Sequence, residues 1–146
     1  MGCDVSSIPV NVAADESAHS DTDVKERIEL GYGSIALKPI AKTLGMSLKM
    51  LEIASRYNIP CFCADLTVNP LMVDWNKNIA ARLSPLPGLS IGVIETNGHQ
   101  NYINWDKMKS YHPCDNAYWS NIHEGVFNLD ESFYSESAGV FKGLVC

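Results

Sequence analysis

The chain has 146 residues and a formal net charge of −6, with 46% hydrophobic and 19% charged residues. An acidic chain with scattered lysines is a poor match for nucleic acid, and no apolar stretch is long enough to span a bilayer, so we expect neither a nucleic-acid nor a membrane partner. The first residues, Met1-Gly-Cys-Asp-Val, have neither the basic start nor the apolar core of a signal peptide, and we expect a cytoplasmic protein.

Four short apolar runs each end at a polar residue. The runs cover residues 8–14, 34–37, 59–64 and 89–94, and the polar residues that follow them are Asp15, Lys38, Asp65 and Glu95. These polar residues lie 23, 27 and 30 positions apart, about the length of a strand, a loop and a crossover helix. The spacing predicts a repeated βα unit.

The intervals between the runs carry apolar residues three and four positions apart, which is the helical period. In the first interval, Val24 and Ile28 follow Ser20 or Asp21 as the N-cap. The other two stripes are Met46, Met50, Ala54 and Tyr57, and Leu71, Trp75, Ile79 and Leu83. Asn69-Pro70 precedes the last stripe, where Asn can cap a helix and Pro fits the first turn. We therefore predict three crossover helices.

Nearly continuous apolar strands with helices between them are typical of a parallel sheet that is buried on both faces. In such sheets and in βα barrels, polar residues at the carboxyl ends of the strands converge on the face where ligands bind. Asp15, Lys38, Asp65 and Glu95 are therefore predicted to surround one site. The alternative is that each residue only marks the point where a strand leaves the core.

The number of βα units is too small for a closed barrel. An eight-stranded barrel takes about 250 residues, whereas residues 1–105 supply four units, the equivalent of half a (β/α) barrel. Residues 106–146 are rich in aromatics and lack a helical period, with strand-like pieces at 125–129 and 139–141. We expect them to form a tail that packs on another part of a larger enzyme.

Two motifs at successive strand ends suggest a family. Ala14-Asp15-Glu16-Ser17, followed one βα unit later by Ile35-Ala-Leu-Lys38-Pro, resembles strands five and six of the enolase superfamily barrel. The similar branch contains muconate-lactonizing enzymes, mandelate racemases and dipeptide epimerases, and the motifs cover roughly residues 8–95. The resemblance implies an α/β fold made of strands 5–8 of a TIM barrel, with a C-terminal segment that joins a capping domain.

The resemblance assigns roles to three residues at these strand ends. Asp15 matches a carboxylate ligand of the essential Mg²⁺, and Glu16 matches the usual neighbour of that ligand. Lys38 matches the general acid/base lysine on one face of the substrate's α-carbon. The chemistry is consistent, because Mg²⁺ prefers hard oxygen ligands and a cation stabilises the enediolate formed beside a carboxylate. A lysine serves as a base where burial and neighbouring positive charge lower its pKa.

Asp65, Glu95 and Asn97 are the candidate substrate-binding residues. Dipeptide epimerases of this branch end strand eight in Asp-x-Asp, whereas this chain reads Glu95-Thr-Asn97, so the chemistry that meets a substrate amino group differs. Asp65 lies at the seventh strand end, with Asn69 shortly after it. The alternative for Asn69 is the helix cap described above.

Three functions are compatible with these residues. The first is an isomerase, an epimerase or racemase, that moves the α-proton of a small carboxylate substrate with the help of Mg²⁺ and is a homo-oligomer when complete. Its other metal carboxylates and its opposing lysine would lie upstream of Met1. The second is a class I aldolase-like lyase in which Lys38 forms a Schiff base. The third is an inactive fragment that associates with itself to cover its open sheet edges.

Overall fold

The computed structural model describes residues 3–65, 67–136 and 138. They form two compact units: the first contains the chain up to residue 65 together with residues 78–95, and the second contains residues 66–77 together with the chain from residue 96 onward. The division into domains at 1–105 and 106–146 stays a prediction.

The first unit contains a parallel sheet of three strands, β1 (Ala13–Ala14), β2 (Ser34–Leu37) and β3 (Cys61–Cys63). The strands lie side by side in chain order, with β2 in the middle. The fourth apolar run forms only a single parallel bridge, between Ile94 and Cys63. The predicted parallel α/β arrangement is therefore confirmed, although its fourth strand is reduced to one residue pair.

Two helices of the first unit pack beside this sheet. Helix α1 (Asp21–Glu29) begins at Ser20, whose hydroxyl accepts a hydrogen bond from the backbone N–H of Asp23, and α2 (Leu44–Arg56) begins at Thr43. The core contains the side chains of both helices and the sheet, among them Val24, Ile35, Leu37, Met50, Ala54, Cys61 and Cys63. The first two predicted crossover helices are confirmed, as is Ser20 as a cap.

Ser20→Ala is expected to lower the free energy of unfolding of the first unit by about 1 kcal/mol, because the N–H of Asp23 loses its acceptor. Ser20→Asp keeps an acceptor at the same position and should retain most of that stability. Urea unfolding followed by circular dichroism measures both variants. Equal midpoints for Ser20→Ala and wild type would show that the cap adds nothing.

The third predicted helix is confirmed as α3 (Pro70–Ala80), but its buried face is not the predicted apolar stripe. Leu71 and Trp75 are each 44% exposed, whereas Asp74 and Lys77 are buried. The first half of the stripe is wrong, because Asp74 and Lys77 pair with each other and can therefore be buried. The second half is confirmed, since Leu83 is buried and Ile79 packs against the core of the first unit. The cap is right, since Asn69 Oδ1 accepts from the backbone N–H groups of the first turn at 3.1 Å.

The other described residues of the second unit form short helices joined by turns. They are α4 (Gly98–Asn101), α5 (Trp105–Lys109), a 3₁₀ turn (Tyr118–Ser120) and α6 (Glu131–Ser135). Their small core contains Trp119 edge-on to Phe133, with ring centroids 5.2 Å apart. The strand-like piece at 125–129 forms one antiparallel bridge, between His123 and Val126, and the piece at 139–141 lies outside the described residues. Helices of four or five residues are too short to show a helical period of apolar residues in the sequence.

None of the helices within the described ranges combines the length and apolar character needed to cross a membrane.

Candidate functional site

The carboxyl ends of β1 and β2 hold an ion pair. Asp15 directly follows β1 and Lys38 directly follows β2, and the two strands are paired with Ala14 opposite Ile35. Because neighbouring parallel strands end at the same edge of the sheet, the two side chains meet there. Lys38 Nζ lies 2.8 Å from Asp15 Oδ1.

Glu16 supplies a second carboxylate to the same lysine. Its Oε1 accepts a hydrogen bond from Lys38 Nζ. The side chain of Lys38 is only 11% exposed, while that of Glu16 is 76% exposed. The ammonium of Lys38 therefore contacts one partly exposed carboxylate, that of Asp15, and one largely solvated carboxylate, that of Glu16.

These contacts set the protonation state of the pair. Burial, the largest single influence, lowers the pKa of Lys38, but the hydrogen bonds and negative charges of Asp15 and Glu16 together outweigh it and raise the pKa above the ordinary value of 10.5. The same hydrogen bond and the charge of Lys38 lower the pKa of Glu16. Lys38 therefore carries its proton at neutral pH, and its raised pKa means that the ammonium holds that proton more tightly than a free lysine does.

A second lysine, Lys42, belongs to this region and was missed by the sequence analysis. Its backbone N–H donates to the carbonyl of Lys38 at 2.8 Å, and its Nζ donates to the carbonyl of Ala18. Burial, and then the charge of Lys38, lower the pKa of Lys42. The spacing of four in Lys38-Pro-Ile-Ala-Lys42 was the available signal, because one turn of chain brings such residues back to the same side.

Asp65 binds the backbone that carries these lysines. Its Oδ2 accepts from the N–H of Ile40 at 2.7 Å and its Oδ1 accepts from the N–H of Ala41 at 3.3 Å. The residue is 5% exposed, so the two hydrogen bonds account for both oxygens of a buried carboxylate. The geometry assigns Asp65 to positioning the loop between Lys38 and Lys42, and its contact with a substrate stays a prediction.

The last two candidate residues are placed in different units. Glu95 belongs to the first unit, where its side chain is exposed and its backbone N–H donates to Cys63 O at 2.8 Å. Asn97 belongs to the second unit, where its Oδ1 accepts from Thr67 Oγ1 at 3.1 Å. The structure thus brings together Asp15, Glu16 and Lys38, and the roles of Glu95 and Asn97 stay predictions.

Asp15 is the described residue that the resemblance assigns to Mg²⁺. Across residues 3–65, 67–136 and 138, no three His, Cys, Asp or Glu side chains are grouped in a way that could hold a metal ion. Asp15 faces the ammonium of Lys38, and that positive charge opposes a second cation at the same oxygen. The assignment of Asp15 to Mg²⁺ stays a prediction.

Removing both carboxylates is expected to lower the pKa of Lys38. In a chain carrying Asp15→Asn and Glu16→Gln, burial and the charge of Lys42 remain while the two raising influences are gone. Carbon-13 NMR of lysine side chains measures the titration, with exposed Lys49 as the internal reference. An unchanged titration midpoint for Lys38 would contradict the assignment of the two carboxylates.

The same shift has a consequence for stability. Because the pKa of Lys38 is raised on folding, the ion pairs contribute fully below its ordinary value of 10.5, and their contribution is lost as the pH rises through the folded value. The wild type should therefore lose more stability above about pH 10.5 than the double variant does.

A comparison of the chain with known protein families found no match, and a comparison with curated protein sequences found none either.

Proposed function

We propose that this chain is the C-terminal part of an isomerase of the enolase superfamily, in which Lys38 transfers the α-proton of a small carboxylate substrate. The observation that carries the proposal is the Lys38–Asp15 ion pair at the ends of two neighbouring parallel strands. A strand that ends in Asp-Glu followed by a strand that ends in Lys is the pattern on which the resemblance rests, and the two ends are adjacent in space.

The order of the strands supports a partial barrel. β1, β2, β3 and the bridge at Ile94 follow one another in chain order without a reversal. Successive strands of a (β/α) barrel have this order. In an open doubly wound sheet, by contrast, the order of the strands reverses at the point where the ligand binds.

Lys38 would act as the acid in this reaction. Its ammonium can deliver a proton to the α-carbon of an enediolate, which restores the carboxylate substrate and leaves a neutral amine between Asp15 and Glu16. In the reverse direction, the amine takes the α-proton from the same face, and the two carboxylates stabilise the ammonium that forms. A base on the opposite face, which the resemblance places outside this chain, would complete the inversion.

The magnesium ion enters the proposal through the resemblance alone. When bound, it would supply positive charge to the enediolate oxygens. Asp15 is the described residue that would hold it, and the other ligands would come from the remainder of the enzyme.

The state of Lys38 favours proton transfer over Schiff-base chemistry. An amine must be neutral to attack a carbonyl carbon, and the nucleophilic lysines of such enzymes have lowered pKa values. Here two carboxylates raise the pKa of Lys38. Borohydride reduction in the presence of a carbonyl substrate separates the two mechanisms, because only the Schiff-base mechanism attaches substrate to Lys38.

Calorimetric titration with Mg²⁺ tests the proposal that this chain supplies one metal ligand and the remainder of the enzyme supplies the others. The 146-residue chain alone should bind the ion weakly or not at all, because it offers one ligand. The complete enzyme should bind Mg²⁺ and lose affinity with Asp15→Asn, whereas Asp21→Asn at the start of α1 should leave binding unchanged. Tight stoichiometric binding by this chain alone would contradict the proposal.

A further inference from the structure

The second unit contains a pocket of about 200 Å³ that the proposed reaction does not use. Its apolar wall includes Val73, Trp105 and Phe127, and its polar part includes Asp74, Lys77 and Lys109. Pockets with a mainly apolar wall and a few fixed polar groups are the usual form of a small-molecule site. The question is which charge the polar part presents to a ligand.

The carboxylate of Asp74 is fully engaged. Its Oδ1 lies 2.7 Å from Lys77 Nζ and its Oδ2 lies 2.8 Å from His112 Nε2, and the side chains of Asp74 and Lys77 are each 3% exposed. His112 Nδ1 accepts from the backbone N–H of Cys114 at 2.9 Å, so the ring proton is on Nε2 and is donated to Asp74. Asp74 therefore has no capacity left for another cation.

The ammonium of Lys77 also has partners besides Asp74. It donates to the carbonyl of Trp119 at 3.1 Å and lies 4.0 Å from the centroid of the Phe127 ring. Burial lowers the pKa of Lys77, Asp74 raises it, and the nearby charge of Lys109 lowers it further. Lys77 and Lys109 line the same pocket, so two ammoniums belong to it.

Lys109 is the lysine in the pocket without a carboxylate. Its Nζ donates to Asn121 Oδ1, and no ion pair among the described residues includes it. Asp115 also lines the pocket, but its Oδ1 accepts from Asn116 Nδ2 at 2.9 Å and it does not pair with Lys109. Asp74 thus pairs with Lys77 and His112, and the ammonium of Lys109 lies beside the apolar wall without a carboxylate partner among the described residues.

We propose that this pocket binds the carboxylate group of a small apolar molecule, with Lys109 on the carboxylate and Trp105 and Phe127 against the body of the ligand. The anion would receive the charge-assisted hydrogen bond that Lys109 now makes only to an amide oxygen. A volume near 200 Å³ corresponds to roughly seven waters at about 30 Å³ each, so the ligand is small. This goes beyond the proposed isomerase, whose residues Asp15 and Lys38 do not line the pocket.

Benzoate and benzamide are suitable probes, because they have nearly the same shape and differ in charge. Titration of the 146-residue chain, followed by ¹H–¹⁵N NMR, should give shifts at Trp105, Lys109 and Asn121 with benzoate. We expect benzamide to bind about tenfold more weakly, since a hydrogen bond to a charged group is the stronger one. Equal affinity for the two probes, or no binding of benzoate, would overturn the proposal.

Variants on α5 test whether Lys109 is the group that binds the carboxylate of the ligand. Lys109→Met should reduce the affinity for benzoate about tenfold and leave benzamide binding unchanged, whereas Lys109→Arg should retain benzoate. Lys107→Met, which removes an exposed lysine from the same helix, is the matched control. Unchanged benzoate binding in Lys109→Met would overturn the assignment. If that variant fails to fold, the benzoate to benzamide ratio of the wild type decides alone. Lys38→Ala should not affect these titrations, so this test is independent of the proposed isomerase.

Discussion

Asp74→Asn should lower the free energy of unfolding of the second unit by about 3–5 kcal/mol. The variant leaves Lys77, whose side chain is 3% exposed, as a buried charge without a carboxylate. The single amide oxygen of Asn replaces two acceptors, so only one of Lys77 Nζ and His112 Nε2 keeps its own oxygen. Removing one partner of a buried ion pair is far more costly than replacing both, because the remaining charge keeps its desolvation penalty.

Tryptophan fluorescence during urea unfolding measures this loss. All three tryptophans, Trp75, Trp105 and Trp119, belong to the second unit, so the signal reports on that unit specifically. Asp106→Asn, an exposed position on α5, is the matched control and should change the stability by no more than about 0.5 kcal/mol. The double variant Asp74→Leu/Lys77→Met should be less damaging than Asp74→Asn. A single variant as stable as the control would contradict the buried network.

Lys38→Ala should slow exchange of the substrate's α-proton by about 10²–10⁴-fold in the complete enzyme, as expected for the loss of a general acid/base. In the proposed mechanism the loss should affect the enantiomer whose α-proton faces Lys38, because the proposed opposing base still serves the other face. Loss of the α-proton signal in deuterated water, followed by proton NMR for each enantiomer, gives the two rates.

Lys49→Ala is the control for this variant, because Lys49 is an exposed lysine on α2 and should leave both rates unchanged. Equal rates in Lys38→Ala and the wild type for both enantiomers would remove Lys38 from the reaction. Its ion pairs with Asp15 and Glu16 would then be a structural feature of the sheet end.

The parallel sheet and its connecting helices could be predicted because their signals are local. Each strand is an apolar run, and the caps Ser20 and Asn69 hydrogen-bond to N–H groups two or three residues further on. The fourth strand could not be predicted in the same way. Leu89 and Ile91 in that run are exposed, and Gly92 approaches the carbonyl of Ala80 so closely that no side chain would fit between them. An apolar run does not reveal such a contact.

The buried face of α3 could not be predicted from the sequence for a related reason. Asp74 and Lys77 are buried because His112 and the carbonyl of Trp119, far away along the chain, complete their hydrogen bonds. A periodic pattern in one helix contains no information about such partners, so the apolar stripe of Leu71 and Trp75 was the natural but incorrect prediction. Tertiary pairing decided which face is buried.

The proximity of Asp15 and Lys38 could be predicted from the sequence, whereas their electrostatics could not. Asp15 and Lys38 could be placed together because parallel strands end at one edge. A base with a lowered pKa was the expectation for a catalytic lysine, whereas the two carboxylates hold the pKa of Lys38 above its ordinary value. The hydrogen bonds from Ile40 and Ala41 to Asp65 also depend on the loop conformation, which the residue types alone do not specify.

Deuterium incorporation at the α-carbon of small carboxylates tests the central claim most directly. The complete enzyme should incorporate solvent deuterium into its substrate only when Mg²⁺ is present, and Asp15→Asn should abolish that dependence together with the exchange itself. Incorporation that is equally fast in Asp15→Asn and in the wild type would contradict the assignment of the Asp15–Lys38 pair to proton transfer beside a metal-bound carboxylate.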